Sequence, residues 1–208
     1  MNSQQERITK AAIDLFNRYG VRTVTMADLA TSCGMSKKTV YKLFESKDDV
    51  IQTVVAQLTS SYTAAYALIR QKQHSAPEEV LDAIDILEKA FSEVNRRFLE
   101  ELQKFHYCVW QKITSFREEV LLDFIKSNIL RGQAQGHYHS RFDNDIIAGM
   151  RLRELIALHE SLATAADYQQ LHKTLIQVSL HYLAGLVTPA GLKRVERHPL
   201  YSNASQGL

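Results

Sequence analysis

The chain has 208 residues, 45% of them hydrophobic and 23% charged, with a net charge of +2. That length suits one large domain or a small domain joined to a larger one, and the composition excludes a disordered chain and predicts a packed core. Cys33 and Cys108 are the two cysteines and lie far apart, which argues against a disulfide framework and suits a reducing, cytoplasmic setting.

The start, "MNSQQERITK", lacks the apolar stretch of a signal peptide. The most apolar run, Leu175 to Val187, contains Gln, Ser and His and is too short for a bilayer. No membrane partner is expected. Charge is uneven along the chain: residues 1–47 carry eight Lys or Arg against four Asp or Glu, a local +4. A basic segment of this kind points toward an anionic partner.

Three prolines and eight glycines are few for this length, and apolar residues recur at helical spacing almost throughout, which predicts an all-α fold. Ile8, Ala12, Leu15, Phe16 and Tyr19 share one face of a first helix that Gly20 can end. Thr25 is placed to cap a short second helix ending at Gly34. Ser36 can cap a third, and Ser46 with Asp48 and Asp49 a fourth that continues to about Lys72. Pro77 with Glu78 and Glu79 opens a helix. From Val80 through Phe91, Val94, Phe98 and Phe105 the spacing stays at three and four, which predicts one helix of more than seven turns.

Further helices are expected over 116–135, 144–163 and 167–187, followed by a flexible tail over 189–208. The helix over 167–187 has two apolar stripes. Tyr168, Leu171, Leu175, Val178 and Tyr182 form one; Ile176, Leu180, Leu183 and Val187 form the other. The second stripe needs cover, either from its own subunit or from a partner copy.

A short helix, a turn containing Gly and a serine-capped second short helix make a helix-turn-helix pattern. On a helical wheel Lys37, Tyr41, Lys38 and Lys42 fall within about 140° of one another, while Val40, Leu43 and Phe44 occupy the opposite side. Lysines on an outer face are ordinary solvated charge. Tyr41 in the middle of that arc fits less well with solvation alone, whereas a phenol among three ammonium groups suits phosphate oxygens.

The stretch from Ile8 to Val55, with "AAIDLFNRYG", "TVTMADLATSCGMSKKTVYKLF" and "ESKDDVI", resembles the DNA-binding region of TetR/AcrR-family transcriptional regulators. The resemblance implies an N-terminal three-helix helix-turn-helix domain over 1–47 and a larger C-terminal helical ligand-binding and dimerisation domain over 48–188. It implies a homodimer that binds palindromic double-stranded DNA, represses, and responds to a small-molecule effector. Carried across, it places Thr25, Ser36, Lys37, Thr39 and Tyr41 at the DNA and Lys47 on its backbone. Lys38 stands where many members have a small residue and Lys42 where members vary, so both are candidates for sequence reading. In "LQKFHYCVWQKITSFR" the family's usual proline is Tyr107.

Candidate effector contacts are the aromatic set Tyr62, Tyr66, Phe91, Phe98, Phe105, His106 and Trp110; the same spacing also suits ordinary core. With the resemblance, Leu152, Leu155, Ile156, Leu162, Ile176, Leu180, Leu183 and Val187 become candidates for a dimer interface. No cofactor or metal is expected. His137 and His139 in "GHYHS" have no ligand cluster beside them and read as exposed loop histidines. "HE" at His159 and Glu160 lacks the second histidine of a zinc protease, and no nucleophile or phosphate-loop motif occurs, so catalysis is not expected. Two other readings stay open: a DNA-bound adaptor that recruits a protein without an effector, and an all-helical enzyme using His106.

Overall fold

The computed structural model describes residues 3–201, and every regular element in it is helical. The chain divides into two compact units. One comprises residues up to Ser61 together with Glu93–Phe116; the other comprises Tyr62–Ser92 and the chain from Arg117 onward. The first unit thus takes in a segment expected to belong wholly to the larger domain.

In the first unit α1 (Ser3–Tyr19) buries Ile8, Ala12 and Phe16 and ends where Gly20 turns to φ +84°. The Thr25 hydroxyl accepts from the Asp28 N–H, and the Asp28 carboxylate accepts from the Thr25 N–H, a capping box that starts α2 (Met26–Ser32). Gly34 at φ +59° carries the turn, and the Met35 N–H closes it on the Ala30 carbonyl at 2.9 Å. Ser36 caps α3 (Lys37–Leu43) through the Thr39 N–H at 3.1 Å. Ser46 likewise accepts from Asp49 at the start of α4 (Lys47–Gln71), whose residues fall in both units.

The long helix expected from Pro77 to Phe105 is interrupted once, and the chain breaks again just past its end. It begins as α5 (Ala76–Glu93), and Asn95 then caps α6 (Arg96–Phe105) by accepting from the Phe98 N–H at 2.9 Å. Asn17 holds this corner from α1. Its amide donates to the Glu93 carbonyl and its Oδ1 accepts from the Asn95 N–H, while the Asn95 amide donates to the Asn17 carbonyl. Each such bond contributes about 1 kcal/mol. At His106, φ −134° and ψ 56° break the chain again before α7 (Tyr107–Ser115), so a bend is present without a proline.

A π-helical stretch, Phe116–Leu121, leads into α8 (Leu122–Ala134) of the second unit. Asp143 caps α9 (Asn144–Ser161), and a Thr164–Asp167 capping box opens α10 (Ala165–Leu186). Leu171, Leu175 and Leu183 of α10 are buried to 1% exposure or less, each worth about 1.5–3 kcal/mol.

Tyr138 lies against Gly132, where any side chain would meet its ring, and donates to Asn128 Oδ1 at 3.1 Å. The segment expected to be a flexible tail begins instead as a helix, α11 (Pro189–Arg197). Thr188 caps it through the Gly191 N–H, and Val195 buries its inner face. Pro189 marks a helix start here because its missing N–H costs nothing in a first turn. Residues 202–208 of the expected tail lie outside the described residues. His137 and His139 are half-buried rather than exposed, because the His139 N–H donates to the Leu186 carbonyl and the Thr188 N–H to that of His137.

Candidate nucleic-acid interface

The third helix is seated by Val40 and Phe44, at 0% and 2% exposure, which fixes its opposite side outward. Ser36, Lys37, Lys38, Tyr41 and Lys42 are exposed there, with Thr39 half-buried. Tyr41 retains 46% of its surface, and the Lys37 ammonium lies 5.9 Å from its ring centroid. The Ser36 and Thr39 hydroxyls are 2.8 Å apart. Thr25 is exposed at the start of α2, although its hydroxyl is engaged with Asp28. This surface offers hydroxyl, phenol and ammonium donors and no carboxylate within α3. It is suited to phosphate oxygens and base edges.

Lys47, expected on the DNA backbone, is engaged within its own unit. Its ammonium donates to the carbonyls of Val21, Arg22 and Val24 at 3.1, 3.2 and 3.0 Å, tying the α1–α2 loop to the first turn of α4. Sequence alone could not find this, since the acceptors are backbone carbonyls more than twenty residues away. Nearby, Glu101 accepts from the Arg22 N–H at 2.8 Å and from Arg97 Nε at 3.0 Å. Burial pushes its carboxyl up, but the N–H groups of Arg22 and Val21 and the Arg97 guanidinium outweigh this and hold it below the ordinary glutamate value.

The aromatic set does not converge on one place. Tyr62, Tyr66 and Phe91 belong to the second unit, whereas Phe98, Phe105, His106 and Trp110 belong to the first. Phe98 stacks on Phe16 at 5.8 Å in that unit's core. Phe105 is 52% exposed beneath the Arg22 guanidinium, and Trp110 is half-buried. His106, on which an enzyme reading rested, faces Asp48 at 3.2 Å. Tyr62 is buried, and Phe91 stacks on His159 at 4.2 Å.

Of the set, Tyr66 lines a small cavity of about 30 Å³ within the second unit, together with Leu87, Phe124, Arg151, Leu155 and Tyr182. Arg151 was missed. The available signal was its position among Ala148, Leu152 and Leu155 on the buried side of α9, where a charge is unusual.

The residues expected at a dimer interface are largely inside their own unit. Leu152, Leu155, Leu162, Ile176 and Leu183 are buried, and Ile156, Leu180 and Val187 are half-buried. The large apolar side chains that α9 leaves exposed are Ile146 and Met150, at 59% and 56%. Elsewhere Asp85, Glu88 and His172 bring three ligand-type atoms within 4.8 Å of one another, with His172 Nδ1 hydrogen-bonded to Glu88 at 2.6 Å. No helix among the described residues is long and apolar enough to cross a membrane.

A capped short helix, a glycine turn and an outward basic helix, followed by a second helical unit, define a helix-turn-helix protein. Residues 8–54 match the model for bacterial regulatory proteins of the tetR family. The HTH-type transcriptional regulator YvaF of Bacillus subtilis is 30% identical over 115 residues, 55% of this chain and 60% of YvaF. The chain therefore spans well under the full length of that curated relative.

Two solved structures share the fold. A transcriptional regulator from Cytophaga hutchinsonii superposes with a TM-score of 0.72 at 17% identity, over 90% of this chain and 100% of that one. SmeT of Stenotrophomonas maltophilia gives 0.69 at 18%, over 90% and 92%. Residues 8–54 are thus similar to the tetR family of bacterial regulatory proteins, and the solved structures add a shared fold.

Proposed function

We propose that this protein is a cytoplasmic, sequence-specific DNA-binding transcriptional repressor, working as a homodimer and released from its operator by a small molecule. The observation that carries the reading is the outward face of α3. Val40 and Phe44 anchor it from below, and Lys37, Lys38, Tyr41 and Lys42 are exposed above.

Two such helices, one from each subunit, read half-sites about one DNA turn apart, about 34–36 Å. Ile146 and Met150 on α9, with the half-buried Leu180 and Val187 on α10, supply the apolar surface for a two-fold contact. SmeT, similar in fold, is described as the repressor of a multidrug efflux pump, which supports repression here. α4 carries residues of both units. A molecule bound within the second unit that prefers one course of this helix shifts the population in which the two α3 helices match DNA. The adaptor reading is favoured by Phe105 and Tyr107, exposed at 52% and 65% around the α6–α7 break.

Selection of genomic DNA fragments by the purified chain tests this, together with sedimentation of the same sample. A shared near-palindromic site and a dimer mass are expected. Fragments without a common sequence, or a monomer at micromolar concentration, contradict it.

A further inference from the structure

Asp85 and Glu88 stand one helical turn apart on α5, and His172 meets them from α10, all within the second unit. One ligand-type atom from each lies within 4.8 Å of the other two, and His172 Nδ1 is 2.6 Å from Glu88 Oε2. Both helices are anchored next to these residues. Ile84 and Leu87 of α5 are 0% and 5% exposed, and Leu171 and Leu175 of α10 are both at 0%. The three side chains are therefore carried by packed helices, which hold a donor set in place better than loops do. Sequence did not show the set because His172 is 84 residues from Glu88.

The charges here do not balance. Glu88 is bonded to His172, but Asp85 has no hydrogen bond or ion pair among the described residues. Two carboxylates this close repel each other, and a neutral imidazole does not offset them. By contrast, Glu79, Asp82 and Asp123 of the same unit each face an arginine or a lysine: Arg131, Lys72 and Arg70.

Donor atoms bonded to one ion at about 2.0–2.2 Å stand about 3.0–3.5 Å apart. His172 and Glu88 already lie closer than that, and the exposed Asp85 side chain reaches it by a change of rotamer. An imidazole nitrogen with two carboxylate oxygens suits a first-row divalent transition ion, whereas Ca²⁺ and Mg²⁺ take oxygen ligands. Three protein ligands leave a further position to water.

We propose that Asp85, Glu88 and His172 bind a divalent transition-metal ion, with Zn²⁺ as its representative. His172 supplies Nδ1 in place of its hydrogen bond to Glu88, and the ion clips α5 to α10. The site stands independently of the effector reading above.

The test is calorimetric titration of the untagged, EDTA-treated full chain with ZnCl₂. One ion per chain is expected, with a Kd below about 10 μM. Asp85→Asn keeps the size of the side chain and removes a charged ligand. Because Asp85 makes no other bond, this variant is expected to unfold at the parent's midpoint in EDTA and to bind Zn²⁺ at least about tenfold more weakly. His172→Ala is expected to lose at least as much. His74→Ala removes the imidazole beside Asp82, controls for adventitious histidine binding, and is expected to leave the affinity within about twofold.

Zn²⁺ is also expected to raise the unfolding midpoint of the parent and not that of Asp85→Asn, a shift that a surface bond between His172 and Glu88 alone does not give. Millimolar Ca²⁺ is expected not to displace it. No binding, an affinity that Asp85→Asn and His172→Ala leave unchanged, loss of binding in His74→Ala, or displacement by Ca²⁺ overturns the assignment.

Discussion

Lys47 donates from its ammonium to the carbonyl of Val24 at 3.0 Å, and through its bonds to Val21 and Arg22 it closes the loop ahead of the helix-turn-helix. Its positive charge therefore shapes the α1–α2 loop. Lys47→Ala leaves three carbonyls to water, and urea unfolding is expected to show a loss of about 1–2 kcal/mol. DNA affinity falls across all sequences through the displaced loop. Parental stability in this variant would instead return Lys47 to direct contact with phosphate.

Tyr41 makes the opposite case. It is 46% exposed, so Tyr41→Phe is expected to leave stability within about 0.5 kcal/mol while weakening every DNA sequence several-fold through the lost phenol donor. Lys38→Ala is expected to change the order of preferred bases as well. Competition binding across a library of half-site variants measures both.

Glu101 gives the first unit an acid sensitivity. Its folded carboxyl is held below the ordinary value, so the stability it supplies is complete above the unfolded value of about 4.3 and is lost as pH falls through the lowered one. The difference in unfolding free energy between the parent and Glu101→Gln is expected to be constant above about pH 5 and to shrink below about pH 4. A difference that grows on acidification contradicts the assignment.

Two glycines of this unit separate backbone strain from crowding. Gly34 has φ +59° with nothing within 4 Å of an added Cβ, whereas at Gly20, φ +84°, that atom would lie 2.5 Å from Glu101 Oε1. Gly34→Ala is expected to cost about 1–2 kcal/mol. Gly20→Ala is expected to cost more, because the Glu101 and Arg97 side chains must also move. Denaturant midpoints of the two variants test the order.

The helix-turn-helix was legible because its signals are local. Thr25 with Asp28, Gly34 and Ser36 each act within four residues, and the outward face follows from periodicity. The break at Asn95 was hidden because Phe91, Val94, Phe98 and Leu102 keep helical spacing across it, and what stops the helix is Asn17, far away in sequence. The stripe of Ile176 and Leu183 looked free for a partner because sequence cannot show that the same unit covers it. Arg151 joined the cavity for the reverse reason, as a charge whose partners Glu154 and Ser179 make its burial tolerable.

The salt dependence of binding to a selected genomic fragment, measured for the parent and Lys37→Ala, tests the central claim most directly. If each subunit of a dimer neutralises about three phosphates, log affinity falls against log salt with a slope near −5, and removing Lys37 from both subunits makes it shallower by about 2. A parental slope near zero, or one that Lys37→Ala leaves unchanged, would contradict the placement of α3 on DNA.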